Sequence, residues 1–372
     1  MSNNGSKPVP DDIKPQTSGK KIMMRIGLAL LIGVVSGWLF SLAAMPLPWM
    51  LGPMFGNILA TFAGLPVIGP KRLRPFVAVV IGVMLGSSFT PAFFGHLETW
   101  SLSLVFMGLY LFLAGAIVVP YYRYVAGFDL PTAYFSGMPG GLMEMMVVGK
   151  EMGGDERAII LAHTSRIVVV VTLVAIWFRW IQGIELSDRS QFGTPFATIP
   201  NDELVTLFIV GVIGFFLGRL LRLPAAVLLG PMLVSAGVHS AGIVHYPPPQ
   251  ELVIVAQIFL GTIVGCRFID TDIKVIKRAI MLGMGATAIL ISLTFTFATL
   301  FYGLFGQTVE QLVLAYSPGG LAEMSLVAMA MNADITYVAT HHLMRIAMVM
   351  MLAPWIFKMT VLIIKKSGKP KN

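Results

Sequence analysis

The chain has 372 residues, 56% hydrophobic and 12% charged, with a net charge of +8 and a mean hydropathy of +0.82. A water-soluble domain carries about 25% charged residues, so composition excludes water as the main solvent. Cys266 is the single cysteine, which excludes an intramolecular disulfide and any cysteine-based metal centre.

Residues 1–22 are polar, rich in Pro, Ser and Asn, and carry Lys7, Lys14, Lys20 and Lys21. They are expected to form a disordered, basic cytoplasmic tail. The basic charge at both ends flanks apolar sequence, so it signals membrane topology before it signals nucleic acid. Twelve apolar segments follow, at about 23–44, 47–63, 75–94, 101–120, 131–149, 158–180, 203–221, 224–241, 251–269, 279–303, 311–330 and 336–363. The first lacks a small-residue cleavage site and reads as a retained span. A crossing needs about 20 apolar residues; the second, fifth, eighth and eleventh segments are short or interrupted by Pro and Gly.

The chain states one pattern twice. Gly82, Gly86, Pro139, Gly140, Gly141, Leu142, Glu144, Met145, Asp155, His163, Arg166 and Ile167 recur 179 residues later as Gly261, Gly265, Pro318, Gly319, Gly320, Leu321, Glu323, Met324, Asp334, His342, Arg345 and Ile346. Leu51-Gly52-Pro53-Met54 likewise returns at Leu229 to Met232. Shared greasiness cannot hold Pro, Gly, Glu, Asp, His and Arg in register, so the sequence is an internal duplication. Lys and Arg placement then sets the direction of each half. If the fifth and eleventh segments dip in and return on one side, 22 of the 26 Lys and Arg fall on the cytoplasmic side and two outside, with Arg166 and Arg345 in spans. Each half then has five crossings and one hairpin, and an odd count inverts the second half. The expected fold is an all-α, polytopic inverted repeat: membrane repeats at 23–182 and 203–364, an extracytoplasmic linker at 183–202, and a basic cytoplasmic tail at 365–372.

The chemistry concentrates at two breaks. Proline removes a donor, and paired glycines permit positive φ and close backbone approach. Pro139-Gly140-Gly141 and Pro318-Gly319-Gly320 should therefore interrupt their segments at mid-depth, where irregular backbone is tolerated if it lines a wet cavity. The helix restarting after each break would aim free N–H groups and a positive dipole end at whatever lies ahead. In an inverted repeat the two tips meet, as in a secondary transporter's substrate site for an anion. The alternative is a pair of hinges serving helix packing alone. Asp155 and Asp334 precede apolar helices and read as N-caps. His163 and Arg166, like His342 and Arg345, are three apart and share a helix face. A guanidinium in a membrane needs a partner, and Glu144 and Glu323 are the natural ones, as a structural clamp, a substrate contact or both. A coupling proton on Glu or His is open, as is sodium. The two Leu-Gly-Pro-Met copies read as packing devices, and Gly108, Gly115, Gly283 and Gly285 as tight helix contacts. The histidines form no ligand set.

The SPGG-x-x-E-M pattern followed by D-x7-H-x2-R-I, duplicated behind Leu-Gly-Pro-Met, resembles the AbrB family of duplicated bacterial inner-membrane proteins over about residues 23–364. It does not resemble the small DNA-binding regulators that share the name. The resemblance carries over Pro139, Gly140, Gly141 and Arg166, with Pro318, Gly319, Gly320 and Arg345. It implies less for His163, His342, Glu144 and Glu323, where many members have Gln or small residues. It also implies two labels, regulator of gene expression and ammonia monooxygenase; the residues supply no metal ligands for the second.

The sequence thus points to a multi-pass bacterial inner-membrane protein with both termini cytoplasmic. It is expected to be a non-enzymatic secondary transporter of a small anionic solute, with no cofactor or metal. The partners expected are the solute, a coupling H+ or Na+, membrane lipid and no direct nucleic acid, with a homo-oligomer allowed. The alternative is a membrane-embedded regulator that acts on gene expression indirectly.

Overall fold

The computed structural model describes residues 19–89, 93–181, 183, 193–223, 225–269, 271–331 and 333–367. Most of the expected N-terminal tail, residues 184–192 of the expected linker and the last five residues lie outside these. The described residues fold into helices that follow the apolar segments. In the first half they are α1 (Gly19–Leu42), α2 (Pro48–Phe62), α3 (Arg74–Ser87), α4 (Phe93–Pro120), α5 (Leu130–Gly137), α6 (Leu142–Glu151) and α7 (Glu156–Ile176). The second half repeats the order as α8 (Asn201–Leu220), α9 (Ala226–Ser240), α10 (Gln250–Gly265), α11 (Ile273–Phe305), α12 (Val309–Tyr316), α13 (Leu321–Ala330) and α14 (Ile335–Ser367). α1 takes in Gly19 to Ile22 and α14 takes in Lys365 to Ser367, residues expected in the tails. Lysine is a good helix former, so neither helix stops where the apolar run does.

The protein is all-helical and membrane-like. Among the described residues, seven stretches are long and apolar enough to cross a bilayer: Gly19–Leu42, Trp100–Val125, Glu156–Ile181, Asn201–Leu220, Gln250–Phe268, Ile273–Phe305 and Ile335–Leu362. Their outer faces suit lipid: Phe112, Phe208 and Trp355 are each at least 70% exposed, a distribution that water would not stabilise. α2, α3 and α9 have 15, 14 and 15 residues. At 1.5 Å per residue each spans roughly 22 Å, short of a hydrocarbon core of about 30 Å.

Duplication is visible in the backbone itself. Among the described residues, the non-glycine ones with left-handed φ are Ala44, Leu47, Arg222 and Ala225, two pairs separated by 178 residues. Leu47 and Ala225 immediately precede α2 and α9. Such a conformation is disfavoured for a side chain with Cβ, so its repetition marks a shared local design. The contacts between helices repeat too. α1 packs on α2 as α8 packs on α9, and each broken pair, α5–α6 and α12–α13, packs on the helix after it, α7 or α14.

The halves are joined by exchange. The Leu-Gly-Pro-Met stretch of α2 packs on α10, and that of α9 packs on α3. A Cβ on Gly261 or Gly265 would collide with the carbonyls of Met50 or Met54, and one on Gly82 or Gly86 with those of Leu228 or Met232. These glycines therefore let backbones touch, the means by which helices associate where no hydrophobic drive operates. Gly283 does the same against Ser165, and Gly115 sits against the Met138 side chain. The expectation for Gly108 is corrected, because a Cβ there meets open space.

Candidate functional site

Both predicted breaks are present. α5 ends at Gly137 and α6 begins at Leu142; α12 ends at Tyr316 and α13 begins at Leu321. The glycines do not use positive φ, contrary to one reason for expecting them. Gly141 and Gly320, which precede α6 and α13, have φ of −66° and −76°. What they supply is the absence of a side chain. A Cβ on Gly141 would strike the Glu144 carboxylate, and one on Gly320 the Glu323 carboxylate. Each glutamate, third in its helix, folds back over its own helix start, where the unpaired N–H groups and positive dipole end attract a carboxylate.

That placement overturns the pairing of Glu144 with Arg166 and of Glu323 with Arg345. Breaking the helix leaves carbonyls at the end of α5 and in the segments beyond α5 and α12 without a helical N–H, and the arginines take those instead. Arg345 donates from Nη1 to Ser317 O at 2.5 Å and from Nη2 to Gly319 O at 2.6 Å. Arg166 donates to Met138 O and Ser136 O at 3.4 and 3.5 Å, a looser copy of the same grip. The clamp between hairpin and following helix exists, with backbone oxygen in place of carboxylate.

The histidines stand behind the arginines. His163 Nδ1 lies 2.8 Å from Arg166 Nη2, and its Nε2 lies 2.8 Å from the Phe135 carbonyl. His342 repeats this with Arg345 Nη2 at 3.0 Å and Leu314 O at 2.9 Å. A guanidinium only donates, so Nδ1 must accept and Nε2–H must donate to the carbonyl. Both rings are fully buried. Asp155 caps α7 by accepting from the N–H groups of Arg157 and Ala158, and Asp334 accepts from Tyr337 N–H.

One cavity of about 500 Å³ gathers the two breaks. Gly140, Gly141 and Glu144 of the first half line it, as do Pro318, Gly319, Gly320 and Glu323 of the second, and Arg166 and Arg345 face it together. Pro139, His163 and His342 are not in its wall. Arg166 and Arg345 are each 2% exposed, lie within electrostatic range of each other, and keep Nε without a protein acceptor. The wall also holds Lys71, Arg74 and Arg267, which sequence reasoning used for topology and missed as site residues. Arg267 carried one signal: it stands 179 residues after Ser88 and so departs from the repeat. Five cations face two carboxylates, and such a field concentrates anions.

Residues 49–360 match the AbrB family, described as "Transition state regulatory protein AbrB". The chain belongs to that family. AbrB-family relatives match it along most of their length. "Uncharacterized protein YhjN" of Bacillus subtilis (strain 168) is 26% identical over 88% of this chain and 91% of its own. "Putative regulator AbrB" of Escherichia coli (strain K12) is 24% identical over 89% of this chain and 95% of its own. The fold behind the family description here is all-helical and membrane-like, not a small DNA-binding domain.

Proposed function

We propose that this protein is a secondary transporter of a small anionic solute, not an enzyme, in the bacterial inner membrane with both termini cytoplasmic. The observation that carries the reading is convergence: two interrupted helix pairs, 179 residues apart in sequence, place their tips and their buried arginines on one cavity. The helix starts of α6 and α13, with Glu144 and Glu323 turned over them, border the site, and Arg166 and Arg345 offer charge and a free Nε donor each. The halves insert in opposite senses, five crossings and one re-entrant hairpin apiece, and rock around the shared site. The short α2, α3 and α9 cross where the exchanged glycine contacts hold them against longer neighbours.

Uptake by proteoliposomes across a panel of small carboxylates, amines and inorganic anions tests the reading. An anion is expected to be moved; transport of amines alone would overturn it. Topology has its own test. A reporter fused near Gly193 should signal from the extracytoplasmic side, and a cytoplasmic signal would sink the inverted arrangement. The name of the Escherichia coli relative favours a second reading, regulation of gene expression. On the transport reading such regulation is indirect and follows the solute. A transcript response that survives in a transport-dead variant would instead favour membrane-embedded signalling.

A further inference from the structure

We infer that the solute is a small dianion and that Arg267 binds its second negative group. The inference rests on the transporter reading of the same cavity and names its substrate class. Among the described residues, three buried N–H donors around this cavity have no protein acceptor: Nε of Arg166, Nε of Arg345 and Nη1 of Arg267. The first two belong to the duplicated motif and serve one anionic group between the helix tips. Arg267 belongs to no repeat. It follows α10, and its counterpart after α3 is Ser88.

The added charge is not duplicated. Lys71 and Arg74 join Arg267 in the wall, while the positions 179 residues after them are Gln250 and Val253. Lys71 and Arg74 are exposed, Arg267 is half-buried, and Arg166 and Arg345 are buried. Exposure of the positive residues therefore falls from Lys71 and Arg74 through Arg267 to the arginine pair. Glu323 and Arg74 lie within electrostatic range of Arg267, but Glu323 is turned back over Gly320 and leaves Nη1 unpaired. A monoanion held by the arginine pair satisfies that pair alone. A second carboxylate on the same molecule reaches the third guanidinium, where planar two-donor recognition of carboxylate favours Arg.

The test compares succinate with butyrate, which share a four-carbon chain and differ by one carboxylate, with inorganic phosphate as a third arm. Affinity is read from thermal stabilisation of the purified full chain. Wild type is expected to bind succinate at least about tenfold more tightly than butyrate, the scale of one added charge-assisted contact. Arg267→Ser, which restores the first-half residue, should erase that preference by lowering succinate affinity about tenfold more than butyrate affinity. Arg267→Lys keeps charge and should fall between them, which gives a readout if the serine chain is unstable. Phosphate binding with the same Arg267 dependence supports a dianion of inorganic type. Equal loss for succinate and butyrate in Arg267→Ser, or no preference in wild type, overturns the inference while leaving the anion site standing. No stabilisation of wild type by any of the three overturns the anion reading and the inference with it.

Discussion

Arg345→Ala is expected to reduce solute uptake by proteoliposomes at least about 100-fold, and Arg166→Ala at least about tenfold. Each arginine fastens a broken helix to the helix behind it while facing the cavity. Hydrogen bonds to a charged group contribute about 1.5–3 kcal/mol each, and every 1.4 kcal/mol is about tenfold. The larger effect belongs to Arg345, whose bonds to Ser317 O and Gly319 O are short, whereas those of Arg166 are near 3.5 Å. The histidine behind it supplies the control. In His342→Gln an amide oxygen can still accept from Arg345 and an amide N–H can still donate to Leu314 O, so uptake should stay within a few-fold of wild type. His342→Ala leaves both partners unmatched and should follow the arginine loss. Unchanged uptake in both arginine variants would remove them from the mechanism.

Gly265→Ala is expected to lower the thermal unfolding midpoint by several degrees, and Gly86→Ala to do likewise through the symmetry-related contact. One methyl at either position meets a carbonyl oxygen on the facing helix, Met54 O or Met232 O. A backbone cannot swing aside as a side chain can, so α2–α10 or α3–α9 must separate. Overpacking of this kind costs about 1–3 kcal/mol. Gly108→Ala, which adds its methyl into open space, should be neutral or slightly stabilising because alanine is the better helix former. Equal melting of the Gly265 and Gly108 variants would refute the exchange contact as the joint between halves.

These two results probe different parts of what could be read from the chain. The breaks were legible because Pro and Gly act locally: Pro139 removes a backbone donor and two consecutive glycines follow it. Asp155 and Asp334 were legible as caps for the same reason. Partner choice for Arg166 and Arg345 was not. Sequence spacing offered Glu144 and Glu323, but it could not show that the break would expose carbonyls nearer to each guanidinium and that each glutamate would turn to its own helix start. Lys71, Arg74 and Arg267 were hidden as well, since their positions read as loop charges until α3 and α10 carried them to the cavity.

The sequence by itself determined the duplication, the apolar segments, the two interruptions and the shared helix face of His163 with Arg166, because each depends on residues close together in the chain or on an exact offset between copies. Tertiary structure alone decided that α2 packs on α10 and α3 on α9, that both arginines face one cavity, and that Arg267 joins them. Those outcomes depend on which surfaces meet between halves about 179 residues apart, and periodicity within one half carries no information about the face the other half will present.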